Sequence, residues 1–374
     1  MILIAASGLL TELAIRFVAK RGWVRIQQYQ TLANPARPRF LADIDPHFGV
    51  WHVSGARVEV QTPKGTVTYE TNKFGMRDRP REITAAGTER FVVLGDSFVE
   101  GFLVEESDRM TDMVEKASGV EMLNFGVSGG FGPIQEWLQY EHLARKFEHT
   151  HVAIFLLPDN DFDDMDPARN PRDRYRPYLE PSESGMRVTY PIPFEHAEER
   201  LRLSSWVLRR NQAYNSWYTL NLLSQLEPVT LLSRIRRKSL AGTVTASYDD
   251  YERDDLLRLE YAYDQIIRLA DQRPVTIYVI PRERDFIARA AGSFQGRILH
   301  DLAVFSQSRR VRVVDLMPGF VAHMQRHGVP YESFFLGYDP HWSPEGHQVA
   351  ARIVMETQRA LSQDAGNAQT GAVK

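Results

Sequence analysis

The chain has 374 residues, 43% of them hydrophobic and 25% charged, with a formal net charge of −3 and no cysteine. These are ordinary fractions for a globular protein, and the length suits one catalytic domain with smaller additions better than two equal domains. The slight acidic balance gives no reason to expect a nucleic-acid partner. Without cysteine, disulfides, thiolate catalysis and cysteine metal sites are excluded.

Residues 1–25 form an apolar amino-terminal segment. Met1 to Ala19 is mostly apolar but contains Glu12 and Arg16, and Lys20, Arg21 and Arg25 follow. A single membrane span needs about 20 apolar residues, so this segment is short and interrupted. No basic region precedes it and no clear small-residue cleavage site follows. Three readings stand: a signal anchor or its remnant, an amphipathic helix lying on a membrane or on the domain, and a core helix. The basic residues after it favour a cytoplasmic carboxyl-terminal side.

Residues 26–88 read as an extension. Pro35, Pro38 and Pro46 mark an irregular start. From Trp51 to Tyr69 polar and apolar residues alternate, which predicts a β-hairpin with its turn at Gly65. Thr71 to Asp78 reads as scaffold under the later chain, with Arg77 a packing residue or, as a second option, a substrate ligand.

Residues 89–362 alternate strand and helix, the pattern of a parallel sheet. Strands are predicted at Arg90 to Leu94, Glu121 to Asn124, Val152 to Leu157, Val275 to Ile280 and Val311 to Val314. Helices are predicted at about Ser107 to Ala117, Ile134 to Phe147, Asp249 to Asp271, Phe294 to Ser308 and Gly346 to Leu361. Pro133 stands at a first helical position. An insertion, 162–245, interrupts this series. Its first part, to residue 200, is rich in Asp, Arg and Pro and reads as loop. From Leu203 to Leu232 apolar residues recur at helical spacing, and the basic cluster Arg234, Arg236, Arg237 and Lys238 follows. An inserted helical cap packed on the core is one reading; a lid over an acyl pocket or a face touching lipid is the other. Residues 363–374 are small and polar and read as a disordered tail.

Four stretches carry chemistry: Gly95-Asp96-Ser97, Asn124-Phe125-Gly126-Val127-Ser128-Gly129-Gly130, Leu157-Pro158-Asp159-Asn160-Asp161, and Asp339-Pro340-His341-Trp342-Ser343-Pro344-Glu345-Gly346. Each is weak alone, because Asp and Ser are ordinary turn and cap residues. Together, in the order Ser, Gly, Asn, Asp-His, they resemble the SGNH hydrolases, the GDSL-type esterase and acyltransferase superfamily, over residues 88 to about 362. The resemblance implies a three-layer α/β/α fold with a five-stranded parallel sheet of the flavodoxin-like SGNH type.

It also implies roles. Ser97 is the nucleophile, which needs an adjacent base. His341 is that base, and Asp339 fixes its tautomer and steadies the imidazolium. The oxyanion hole combines the backbone N–H of Ser97, the backbone N–H of Gly129 and the side-chain amide of Asn160. The chain departs from the family in having one residue, not two, between Asp339 and His341. This shorter form resembles the branch containing alginate-type O-acetyltransferases. It leaves His347 as a rival base, which reads as a packing residue of the last helix. Glu345 and Trp342 read as a helix-start acid and a core or pocket-wall aromatic, and Asp96 as a structural turn residue. The loop Asp159-Asn160-Asp161 stands where the family has Gly-Asn-Asp. The acids from Asp159 to Asp166 lack the glycine and closing glutamate of an EF-hand and read as a solvated loop. No dinucleotide or P-loop glycine pattern appears, and no cofactor is implied.

The expected activity is hydrolysis of an acyl ester, acetyl above all, on a small molecule or glycan. The alternatives are O-acyl transfer to a cell-envelope glycan and a non-catalytic glycan-binding protein. The expected setting is membrane-anchored or cell-envelope, on the extracytoplasmic side, with association through residues 1–20. The basic residues that follow the segment pull against that side.

Overall fold

The computed structural model describes residues 2–24, 26, 43–85, 87–169, 175–183, 185–197, 205–224 and 244–371. In chain order the amino-terminal part holds α1 (Ile2–Lys20), β1 (Asp43–Asp45), β2 (Gly49–Trp51), β3 (Arg57–Thr62) and β4 (Gly65–Glu70). The first half of the sheet domain follows: β5 (Arg90–Gly95), α2 (Ser97–Glu100), α3 (Met110–Ser118), β6 (Glu121–Asn124), α4 (Pro133–His142), β7 (His151–Leu156) and α5 (Pro158–Met165). The insertion contributes β8 (Tyr178–Ser182), β9 (Gly185–Thr189), α6 (Ser205–Ser216) and α7 (Tyr218–Ser224). The second half is α8 (Arg253–Ala270), β10 (Val275–Val279), α9 (Glu283–Ala290), α10 (Arg297–Ser306), β11 (Val311–Asp315), α11 (Met317–His327) and α12 (Pro344–Gly371).

The central sheet has five parallel strands in the order β11-β10-β7-β5-β6. Numbered along the core alone, that is 2-1-3-4-5, the flavodoxin-like order. The expected α/β architecture is therefore present. Helices cover both faces, as parallel strands require. Strand β5 shows how the sequence achieves this, since successive side chains point to opposite faces. Val92 and Leu94 enter a core shared with Ile134, Leu138, Leu259, Ile266 and Leu302. Phe91 and Val93 enter the opposite core with Met110, Val114, Phe320 and Val349.

The expected hairpin forms as β3 and β4, with Thr62 opposite Gly65. Trp51 lies outside it, in the short antiparallel pair β1–β2. Several elements depart from the sequence reading. The acidic run from Asp159 is helix α5, not loop: Pro158 opens it, and acids in a first turn face the positive end of the helix. Within the stretch read as loop, β8 and β9 pair as a hairpin. Helices α9 and α11 were not foreseen, because each is short and lies in a stretch read as a connection. The expected tail continues α12 through Gly371. The insertion is helical at α6 and α7, while the basic cluster Arg234 to Lys238 lies outside the described residues.

Candidate active site

Strand β5 runs into its turn with every residue buried. Asp96 ends the strand and caps α2, its carboxylate accepting the Phe98 N–H at 2.9 Å. That cap places Ser97 at the first position of α2, at the carboxyl end of a central strand, where open α/β sheets hold their ligands. Asp96 is thus the structural turn residue expected.

His341 and Asp339 arrive from the far end of the chain, on the loop before α12. The His341 Nε2 lies 2.7 Å from the Ser97 Oγ. On the other side of the ring, Asp339 accepts a hydrogen bond from Nδ1. The same carboxylate accepts the His341 backbone N–H at 3.0 Å. Burial works against charge on Asp339, but the His341 ring, its two hydrogen bonds and Arg282 outweigh that and hold the carboxyl below its ordinary range. An ionised Asp339 fixes Nδ1 as the protonated nitrogen and leaves Nε2 free to accept. The rings of Phe98 and Phe102 stand 5.1 and 4.7 Å from the imidazole centroid and wall it in.

The rival base is elsewhere. His347 is fully buried in α12, where its Nδ1 accepts the Met110 N–H at 3.3 Å. Burial, with Arg109 and Arg77 nearby, pushes its pKa down to about 3, so it is a neutral core acceptor. Trp342 is buried edge-on to Phe98 and stacks with Phe320. Glu345 sits in the first turn of α12 and meets His323 at 3.1 Å. Both match the packing roles expected of them.

Gly129 lies in the loop after β6, and Asn160 in the first turn of α5 after β7. β6 and β7 flank β5, so all three expected oxyanion residues sit at the same end of adjacent strands. Gly129 has φ +92°, a conformation that suits glycine. At Gly126 a Cβ would come within 2.2 Å of the Glu100 backbone nitrogen, so only glycine lets this loop pass behind the nucleophile helix. The Asn160 amide donates to Asp164 at 3.3 Å and lies beside Asp96. It is held beside the turn that carries Ser97 rather than pointing into open space.

Several supporting residues escaped the sequence reading. Glu100, fully buried at the end of α2, accepts the Ser128 N–H and faces His52 of the amino-terminal extension at 3.5 Å. One carboxylate thereby joins the nucleophile helix to the residue before Gly129. Burial opposes its charge, yet His52, Arg77 and Ser128 together keep its pKa lowered. Arg77 is scaffold: its guanidinium donates to the Glu100 and Gly101 carbonyls and lies 3.6 Å above the Tyr69 ring.

Arg282, just beyond β10, is the other omission. It donates to the Pro340 carbonyl at 2.9 Å, pairs with Asp159 at 3.1 Å and lies 5.1 Å above the Phe98 ring. A single guanidinium thus ties the loop before His341, the residue before Asn160 and the residue after Ser97. No sequence motif marks it; its position after a central strand is the only available signal.

Beneath the site three carboxyls cluster. Burial pushes Asp96 up to about 6, against the Phe98 N–H, His341 and Arg282. Glu136 and Asp161 are held well above the carboxylate range by burial and by repulsion from one another or from Asp96. No group of acidic or histidine side chains suited to a metal occurs among the described residues.

No protein-family model matches the sequence, and no curated protein matches it. Among solved structures, the chain is similar to a lipolytic protein of the G-D-S-L family from Veillonella parvula, at 12% identity over 72% of this chain and 97% of that one, with a TM-score of 0.35. It is similar to a lipase/acylhydrolase from Enterococcus faecalis, at 12% identity over 72% and 95%, with a TM-score of 0.36. An acetyl xylan esterase from the rumen bacterium Butyrivibrio proteoclasticus gives 10% identity over 76% and 66%, with a TM-score of 0.36. At these scores the overlap is a likeness only; strand order and register define the fold.

Proposed function

We propose that this chain is a serine esterase of the SGNH type, acting on a short acyl ester, acetyl above all, carried by a carbohydrate or similar small alcohol. The reading rests on one observation, the unbroken line from Ser97 Oγ through His341 to Asp339, with 2.7 Å between hydroxyl and imidazole. A serine hydroxyl is a poor nucleophile until a base touches it, and here the His341 imidazole does.

In the proposed reaction the Ser97 Oγ attacks the acyl carbonyl carbon while its proton passes to His341 Nε2. The carbonyl oxygen becomes an oxyanion facing the N–H groups of Ser97 and Gly129. Asn160 joins them when its amide swings from Asp164 toward the new charge. Collapse of the tetrahedral species breaks the ester C–O bond, and His341 returns the proton to the departing alkoxide. Water then attacks the acyl-serine with His341 again as base, releasing the acid and restoring Ser97.

A second reading has a glycan hydroxyl in place of that water, which would make the protein an O-acyltransferase. The single residue between Asp339 and His341 favours it, through the resemblance of that spacing to alginate-type O-acetyltransferases. Turnover of p-nitrophenyl acetate and of a longer acyl ester tests both readings, with Ser97→Ala and His341→Ala alongside. Removing a triad member lowers kcat at least about a thousandfold. Hydrolysis confined to the acetyl ester and lost in both variants supports the esterase. Acyl-serine that accumulates until a glycan is added supports the transferase. Wild-type turnover equal to both variants, with no acyl-serine, would point to a binding protein.

A further inference from the structure

Helix α1 is built inside out. Its mid-helix charges turn toward the protein: Glu12 is buried and accepts the N–H groups of Tyr218 and Thr219, both at 2.9 Å, and the Thr219 hydroxyl at 2.7 Å. Glu12 thereby caps the start of α7 from a distant part of the chain. Arg16 pairs with Glu12 at 2.8 Å and lies 4.5 Å above the Tyr218 ring. Ala19 and Ile15 pack inward beside Tyr218, but the larger apolar residues face outward. Leu9, Leu10, Leu13 and Phe17 are each between 54% and 67% exposed. On α7, Leu220 and Leu223 add to the exposed apolar surface.

In water an amphipathic helix does the opposite, burying its apolar stripe and solvating its charges. Polar side chains turned inward beneath an apolar exterior is the arrangement of a helix solvated by hydrocarbon. The two charges that interrupt the apolar segment in the sequence are therefore no obstacle to lipid contact, because Glu12 is buried and Arg16 is paired with it.

The carboxyl end of α1 adds a second observation. Trp23, 70% exposed, follows the exposed Lys20 and Arg21, and Arg21 lies 4.8 Å above the Phe17 ring. Tryptophan and basic side chains bordering an apolar face match the headgroup layer of a bilayer, particularly one carrying anionic lipid. No described helix is long and apolar enough to cross a membrane. We propose that the α1–α7 pair is a lipid-facing surface that seats this protein in one leaflet of a bilayer containing anionic lipid, lying in the interface and not across it.

The test is co-sedimentation of the full chain with phosphatidylcholine vesicles, with and without phosphatidylglycerol. The protein is expected to bind both and to bind the anionic vesicles more tightly, with salt removing only the difference. The emission of Trp23, isolated by comparison with Trp23→Phe, shifts to the blue on binding. Leu13→Glu with Phe17→Glu lowers partitioning at least about tenfold, with the thermal midpoint unchanged because both side chains are exposed. Should that variant melt early, Leu10→Gln gives a smaller loss in the same direction. Folded wild-type protein that stays in the supernatant with both vesicles overturns the proposal, as does equal binding by the double variant. A concentration-dependent dimer abolished by the double variant, without vesicle binding, would mean that a second copy covers the face and would equally overturn it.

Discussion

Arg282 offers the sharpest check on how the site is held. Replacing it with glutamine removes a charged donor from the Pro340 carbonyl, a cation from Asp159 and a stacked group from Phe98. The Asp159 pair is discounted: that carboxylate is partly exposed and keeps Arg284 at 2.6 Å. The hydrogen bond to Pro340 dominates, since a bond from a charged group is worth about 1.5–3 kcal/mol. Pro340 adjoins both triad partners, so its freedom becomes freedom of His341 relative to Ser97. If all of that energy is lost from the transition state, kcat falls between about tenfold and about 150-fold. KM stays nearly unchanged, because Arg282 is engaged with protein groups. The assay is steady-state hydrolysis of p-nitrophenyl acetate, with active sites counted by a fluorophosphonate so that misfolded protein does not enter kcat. Arg282→Lys, which can reach one partner but cannot stack and bridge as the planar guanidinium does, falls between the two. Unchanged kcat per titrated site in Arg282→Gln would refute the clamp. A raised KM with normal kcat would refute it too, and would make Arg282 a substrate ligand.

Two further outcomes follow from the site. Asn160→Ala loses one of three oxyanion donors and lowers kcat by about a hundred- to a thousandfold with little change in KM, read in the same assay. A fall in KM-linked affinity alone would assign Asn160 to ground-state binding. His347, buried and neutral, has its pKa lowered from 6.5 to about 3 by burial and by Arg109 and Arg77. A depressed pKa contributes stability that is present above the unfolded value and is lost as pH falls toward the folded one. Thermal midpoints should therefore drop as pH falls below about 6.5, more steeply in the wild type than in His347→Gln, which has no proton to take up there. Parallel profiles for the two proteins would show that His347 does not contribute.

The strand runs, the parallel sheet and the four chemical blocks were legible because their signals are local. A short β-rich apolar run ending in Gly-Asp-Ser reads as a strand and turn wherever it lies. The packing role of His347 was also legible, from its position on a helix. The acidic run after Pro158 was misread because the same residues suit a solvated loop and a helix's first turn, and its packing on the sheet decides between them. The β8–β9 hairpin escaped for a related reason: its strands are short, mixed in polarity and separated by one tight turn.

Local sequence determined most of the elements, the parallel character of the sheet through alternation with helices, and the residue types able to do acyl chemistry. Tertiary structure alone decided which of them meet. Ser97 and His341 are 244 residues apart, and only the sheet order brings Nε2 to 2.7 Å from Oγ. Arg282 and Glu100 became visible as supports only in the folded chain, because a clamp is defined by partners distant in sequence. The same holds for α1. Its composition states that it is apolar and interrupted by Glu12 and Arg16, but which way Glu12 faces is set by α7, whose first N–H groups draw it inward and leave the leucines outside.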